Sequence, residues 1–256
     1  MDTQILSGKV VSESVYKGLK SRIVKLKTNS ITPCLAVVLI GDDAPSHVYV
    51  KNKTKKFASL NLNSETIKLT NETSENALLE IINNLNNDNK YHGILVQLPL
   101  PNHINNETII NAIDPKKDVD GFNPVNLGRL AAGRPSFIPC TPKGIMRVFE
   151  YYKIDLSNKH VVVVGRSNIV GRPISILTSL KRKYSNATTT ICHSGTKNIS
   201  YFTKQADIVI LALGSPEYLK GNDIKEGAVV IDVGINRVKS QTKTGYKLLG
   251  DCEFSS

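Results

Sequence analysis

Short apolar runs alternate along this chain with segments in which apolar residues recur every third or fourth position, a pattern of strands interleaved with helices. Val11, Val15, Leu19 and Ile23 mark an opening amphipathic helix. Cys34–Ile40 is an unbroken apolar run closed by Gly41, as expected for a buried strand. Asp42-Asp-Ala-Pro-Ser reads as a turn, and Pro45 and Ser46 suit the start of a helix running to about Leu60. Thr66–Leu69 is a weaker strand, Asn76–Leu85 a helix, and His92–Gln97 a strand stopped by Leu98-Pro-Leu-Pro. Between Asp114 and Pro142 the periodicity fades into a Gly/Pro-punctuated stretch, the expected domain joint. Thr141-Pro-Lys-Gly then opens a helix through Met146, Phe149 and Tyr152. His160–Val164, Thr188–Cys192, Asp207–Leu211 and Val229–Val233 read as four strands, the first two followed by helical segments and the third by a Gly/Pro loop. Arg237–Leu249 reads as a hairpin turning at Thr244-Gly245. The expected fold is therefore α/β with two domains, residues 1–138 and a Rossmann-like domain over residues 139–256.

Composition narrows this picture only modestly. A chain of 256 residues suffices for two compact domains. Its 40% apolar and 6% aromatic content suits the aliphatic core of parallel sheets. The opening Met1-Asp-Thr-Gln-Ile-Leu-Ser lacks the basic start and apolar centre of a secretory signal. The longest apolar runs, around Val161–Val164 and Ile208–Leu213, are too short to span a bilayer. A soluble, cytoplasmic protein without a membrane partner is expected. Cys34, Cys140, Cys192 and Cys252 show no paired spacing, and the histidines do not cluster, so buried free thiols and no metal site are anticipated. The net charge of +11 raises the question of nucleic acid. The lysines are spread along the chain, with no aromatic-interleaved basic strand, which favours a solvated surface or attraction of a small anion.

Two clusters carry candidate chemistry. Tyr49 and Lys53 lie four residues apart, so on a helix they share one face. They follow a strand's carboxyl end, where open parallel sheets bind ligands. Gln97 ends a second apolar strand on the same side. A free lysine is almost wholly ammonium at neutral pH, so catalysis requires contacts that lower its pKa or use its charge to place water. The other cluster is Gly165-Arg-Ser-Asn-Ile-Val-Gly171, set after Val161–Val164 and before a helix start. Backbone N–H groups in that setting cradle phosphate. Its glycine spacing departs from G-x-G-x-x-G, with Ser167 at the second glycine position. Arg166 suits the adenosine 2′-phosphate of NADP, and His193-Ser194 follow the next strand, where adenosine-ribose contacts arise.

Read in order, seven segments resemble the bifunctional methylenetetrahydrofolate dehydrogenase/methenyltetrahydrofolate cyclohydrolase family almost end to end. They are Gly41-Asp-Asp-Ala-Pro-Ser-His-Val-Tyr49-Val-Lys-Asn-Lys53, Gly93-Ile-Leu-Val-Gln97-Leu-Pro-Leu-Pro and Lys117-Asp-Val-Asp120-Gly-Phe-Asn, followed by Pro139-Cys-Thr141-Pro-Lys-Gly. The remaining three are Gly165-Arg-Ser-Asn-Ile-Val-Gly-Arg-Pro, Cys192-His-Ser194 and Asp232-Val-Gly-Ile235-Asn. The resemblance implies an N-terminal folate-binding catalytic domain, an NADP-binding second domain and a cleft between them. It makes Lys53 the main catalytic residue, oriented by Tyr49 and hydrogen-bonded by Gln97, with Asp120 on the pterin's amino-pyrimidine edge. Gly165, Arg166, Ser167, Ser194 and Ile235 then hold NADP, and Thr141 lies near the nicotinamide. A homodimer is implied, in one-carbon metabolism serving purine, histidine and methionine biosynthesis.

These residue types suit the implied chemistry. Hydride transfer from 5,10-methylenetetrahydrofolate to NADP mainly needs alignment. Hydrolysis of the methenyl cation to 10-formyltetrahydrofolate needs proton removal, which a lysine partnered by a neutral amide can serve. The family also carries a Pro-Gly-Gly-Val-Gly-Pro-Met-Thr segment and a helix beyond the motifs found here. Without them, weaker cofactor binding and domain docking are expected, which makes a folate- or NADP-binding protein with little turnover the alternative reading. A dehydrogenase lacking the hydrolytic step is a further variant, opposed by the intact Lys53 and Gln97.

Overall fold

The computed structural model describes residues 3–242 and 245–256. The chain divides into two compact units, Lys9–Ile138 and Pro139–Ser256, the latter including the first residues up to Gly8. The residues before Gly8 thus group with the second unit rather than with 9–138. One tie is the Ser7 N–H, which donates to the Tyr152 hydroxyl at 2.7 Å.

The first unit opens with helix α1 (Gly8–Thr28), in which only Val11 is buried. The expected apolar ladder does form a helix, but a strict four-residue repeat drifts about 40° per step around a 3.6-residue turn. Val15 is accordingly 37% exposed. Next come β1 (Cys34–Ile40), α2 (Ala44–Ser59), β2 (Asn63–Leu69), α3 (Glu75–Asn87) and β3 (Gly93–Val96). The three strands form a parallel sheet in the order β2-β1-β3. Central β1 is buried at every residue, which explains its unbroken apolar run. Ala36, Val38 and Ile40 pack with Leu78 and Ile82 of α3 on one face. Leu35, Val37 and Leu39 pack with Val50 and Phe57 of α2 on the other.

Helices α4 (Asn106–Ala112) and α5 (Pro124–Ala131) complete this unit. Neither was anticipated, and α5 falls inside the stretch read as an irregular joint. Asn105 caps α4 by accepting from the Glu107 and Thr108 N–H groups, and Asn123 caps α5 by accepting from Val125 N–H.

The second unit begins with α6 (Cys140–Tyr151), followed by β4 (His160–Val164), α7 (Gly171–Ser179), β5 (Thr188–Cys192), α8 (Ile199–Thr203), β6 (Ile208–Leu211) and β7 (Val229–Asp232). The four strands are all parallel, in the order β5-β4-β6-β7. Chain progression reverses between β4 and β6, the topological switch at which such sheets bind ligands. The expected hairpin is present as antiparallel β8 (Asn236–Lys239) and β9 (Tyr246–Leu249), while Thr244 of its expected turn lies outside the described residues.

Cys34 and Cys192 are buried free thiols as expected, whereas Cys252 is half-buried and Cys140 exposed. Cys140 is the first residue of α6, a position outside the apolar stripe of Ile145, Met146 and Phe149 that packs inward. Among the described residues no helix is long and apolar enough to cross a membrane.

Candidate active site

Helix α2 starts at a fixed point beyond β1. Gly41 turns the chain with φ +73°. The Asp43 carboxylate then caps the helix, accepting from the Ser46 N–H at 2.9 Å and its hydroxyl at 2.6 Å. This launch places Tyr49 and Lys53 on successive turns at the carboxyl edge of the sheet. Gln97 reaches the same edge from β3, its N–H continuing the ladder to Val38 O at 2.9 Å.

Lys53 Nζ donates to Gln97 Oε1 at 3.2 Å. The Gln97 Nε2 group donates to Leu98 O at 2.7 Å, and this fixes the amide with its oxygen toward the lysine. Tyr49 stands one turn before Lys53 with 49% of its surface exposed, and its hydroxyl makes no hydrogen bond among the described residues. Its ring is available as a platform.

Asp120 arrives on a segment laid against the edge of β3. Ile94 N–H donates to Lys117 O at 2.8 Å, and Ile94 bridges Asp118 in parallel sense. Gly93 permits this approach, because a Cβ there would stand 2.3 Å from Val119 Cγ1. Burial pushes the Asp120 carboxyl above its ordinary pKa, Lys53 draws it down and Asp118 pushes it up. Lys53 is therefore hydrogen-bonded to a neutral amide and lies within electrostatic reach of Asp120. Asp120 and Asp118 line a small recess whose other walls are apolar, among them Ile94, Val96, Ile109 and Phe122.

Sequence reasoning gave Asp118 no role, yet it holds this segment in place. Its buried carboxylate accepts from Gly121 N–H at 3.0 Å, Asn123 N–H at 2.9 Å and Asn126 Nδ2 at 2.9 Å. Every partner is a donor, so only an acceptor suits the position. Asp118→Asn turns an amide N–H toward those donors and should cost about 1–3 kcal/mol. The expected result is a clear fall in the melting temperature; an unchanged melting curve would deny Asp118 this part.

A hollow of about 700 Å³ opens elsewhere on the same sheet, among Cys34, Asn63, Glu65 and Lys90. It lies at the amino ends of the strands, opposite the edge bearing Lys53 and Gln97. Open parallel sheets bind ligands at the carboxyl edge instead.

In the second unit Gly165 ends β4 with φ +129°, and a Cβ there would stand 2.3 Å from Ala212 O beyond β6. A Cβ on Gly171 would stand 2.1 Å from Gly165 O. Both glycines let the loop fold tightly at the switch point. Ser167 Oγ accepts from the Val170 and Gly171 N–H groups at 3.2 and 3.4 Å, binding the loop to the start of α7. Arg166 is exposed at the loop's crest, with Nη1 3.5 Å from His193 Nε2, and exposed Ser194 follows His193. Thr141 is exposed in the first turn of α6, and Ile235 follows β7 with 66% of its surface exposed. A second unforeseen hub is Asp251, fully buried and accepting from the Leu213, Gly214 and Ser215 N–H groups and from Asn236 Nδ2 at 2.7–3.0 Å. It links the loop after β6 to the segment carrying Ile235.

Comparison with known proteins agrees with both units. The family model for the tetrahydrofolate dehydrogenase/cyclohydrolase catalytic domain matches residues 6–120, and the model for its NAD(P)-binding domain matches residues 139–256. The bifunctional protein FolD of Acetivibrio thermocellus is 48% identical over 256 residues, covering 100% of this chain and 87% of that protein. Bifunctional protein FolD 2 of Geobacter sulfurreducens is 50% identical over 252 residues, covering 98% of this chain and 85% of its own. Among solved structures, the bifunctional FolD methylenetetrahydrofolate dehydrogenase/cyclohydrolase of Campylobacter jejuni matches with a TM-score of 0.92 at 43% identity, over 98% of this chain and 86% of that one. The Trypanosoma brucei enzyme, solved with NADP cofactor and an inhibitor, also matches with a TM-score of 0.92, at 32% identity over 100% of this chain and 87% of its own. Nothing in these likenesses supports a binding protein without turnover. The chain belongs to the tetrahydrofolate dehydrogenase/cyclohydrolase family.

Proposed function

We propose that Lys53, Gln97, Tyr49 and Asp120 carry the folate chemistry of this chain, and that Gly165, Arg166, Ser167, Ser194, Ile235 and Thr141 hold its nucleotide. The enzyme is a bifunctional NADP-dependent methylenetetrahydrofolate dehydrogenase and methenyltetrahydrofolate cyclohydrolase. It oxidises 5,10-methylenetetrahydrofolate to the 5,10-methenyl form and hydrolyses that to 10-formyltetrahydrofolate. The observation carrying the site assignment is the Lys53–Gln97 hydrogen bond at the carboxyl edge of the sheet, with the Asp120 carboxyl within electrostatic reach of the lysine.

The Asp120 carboxylate accepts from the amino-pyrimidine edge of the pterin, while the exposed Tyr49 ring offers a face to the ring system. NADP, when bound, takes up the hydride leaving the methylene carbon, so the protein's task in that step is alignment. In the hydrolytic step water adds to the methenyl carbon, a proton leaves, and cleavage of one carbon–nitrogen bond gives the formyl group. Lys53 places that water and receives its proton. Gln97 anchors the amine without a second full charge, leaving it free to exchange protons.

The nucleotide loop fits its implied cofactor. Two glycines keep Cβ atoms out of a tight strand-to-helix turn, and the exposed Arg166 at its crest suits the 2′-phosphate that distinguishes NADP from NAD. Arg166→Ala should weaken NADP binding roughly 10–100-fold, the loss of charge-assisted hydrogen bonds worth about 1.5–3 kcal/mol, and leave NAD nearly unchanged. Steady-state KM values for the two nucleotides check this; equal weakening would remove the arginine from 2′-phosphate recognition.

Folate and NADP, both anionic, account for the basic balance without nucleic acid. The enzyme works in the cytoplasm, in one-carbon supply to purine, histidine and methionine synthesis, a setting in keeping with its free thiols. It acts as a homodimer to which the β8–β9 hairpin contributes, Leu248 of β9 being 59% exposed.

A further inference from the structure

The last turn of α3 carries no basic residue, so the helix itself supplies no cation to its final carbonyls and their partial negative charge. A lysine from a distant part of the chain does. Lys117 Nζ donates to Leu85 O at 2.9 Å and to Asp88 O at 2.8 Å, across 32 and 29 positions of sequence. Leu85 is buried in the core with Leu78 and Ile82, so this anchor is firm. Asn86, at the same helix end, ties the chain just upstream of Lys117. Its Nδ2 donates to Ala112 O at 2.7 Å, and its Oδ1 accepts from the Asp114 N–H at 2.9 Å.

Lys117 also stands at the edge of β3, where its carbonyl accepts from Ile94 N–H. It therefore joins two fixed elements, and three residues later the chain reaches Asp120. The Asp120 carboxylate makes no hydrogen bond among the described residues, so its place is set by the backbone that carries it. Asp118 holds that backbone to the start of α5, and Lys117 holds it to the end of α3. Losing the ammonium would release the α3 tie and leave the Asp118 contacts intact.

We infer that Lys117 is a positioning residue for the folate reactions: by capping α3 it fixes where Asp120 meets the substrate. The inference rests on the reading of Asp120 above and adds a residue that acts through it.

The test is steady-state kinetics of both half-reactions, with a thermal melt on each variant. Lys117→Met keeps the length of the side chain and removes its charge. It should raise KM for 5,10-methenyltetrahydrofolate about tenfold, part of what a hydrogen bond to a charged group is worth, and leave kcat within about threefold. KM for NADP should stay within about twofold. Lys117→Arg, which keeps a cation with donors for both carbonyls, should restore most of the folate KM. A lower melting temperature with unchanged folate KM, or an equal rise in both KM values, would overturn the inference. In an Asp120→Ala background, Lys117→Met should add no more than about twofold to the folate KM. A full further rise there would show that Lys117 does not act through Asp120, and would also overturn it. If the methionine variant does not fold, Lys117→Gln, which keeps a donor, carries the same comparison. An unchanged folate KM in Asp120→Ala itself would defeat the reading of Asp120.

Discussion

Lys53→Met should reduce hydrolysis of 5,10-methenyltetrahydrofolate by about 100-fold or more while leaving the protein folded. The substitution keeps an unbranched chain of similar length and removes only the amine. That amine makes one hydrogen bond, to Gln97, and is partly exposed, so little stability rests on it. Its proposed catalytic part is larger, because a positioned group that moves a proton contributes roughly 10²–10⁴-fold. Hydride transfer calls for no such group and should fall less. Hydrolysis in the absence of nucleotide, followed beside a thermal melt, reads both consequences. Wild-type hydrolysis in the variant would place the chemistry elsewhere.

Asp251→Ala should lower the melting temperature by about 10 °C or more. The buried carboxylate holds three successive backbone N–H groups, Leu213, Gly214 and Ser215, together with the Asn236 side chain. Alanine leaves all four donors without their acceptor. Each donor left without its partner costs about 1–3 kcal/mol, so several together cost about 3–5 kcal/mol, against a total stability of only about 5–15 kcal/mol. A kilocalorie shifts the melting temperature of a domain this size by roughly 4 °C, hence the estimate. Asp251→Asn keeps one acceptor oxygen and should fall between the two. Calorimetric melting checks the order; a shift under about 2 °C for the alanine variant would show that water replaces the carboxylate without cost.

Neither buried carboxylate hub was legible in the sequence, and the reason is physical. Hydrophobic periodicity reports which residues leave water, so it found β1, whose every side chain is buried, and the β4, β5 and β6 runs to within a residue. It also put Lys53 and Gln97 at one sheet edge, because both end or follow strands of clear pattern. Asp118 and Asp251 sit instead in polar, glycine-containing stretches that read as solvated loops. Their partners are mostly backbone N–H groups, which every residue carries, and those of Asp251 lie 36 to 38 positions away. No local pattern marks such a residue as buried. The short helix α5 escaped for a related reason: Asn126 and Gly128 are poor helix formers, and the Asn123 cap and the packing of Leu130 hold it. Its one sequence signal was Asn123-Pro124, a cap followed by proline at the first helical position. Cys140 went astray because a helix's first residue need not face the core.

The part proposed for Lys53 in the hydrolytic step thus rests on a helix launch, a glutamine fixed by its neighbour's carbonyl and an Asp120 segment held by Asp118. The most direct measurement follows both half-reactions on one purified preparation, NADP reduction with 5,10-methylenetetrahydrofolate and hydrolysis of 5,10-methenyltetrahydrofolate. The account predicts both activities in the unaltered protein, with the hydrolytic one lost in Lys53→Met. Folded protein that catalyses neither would contradict it.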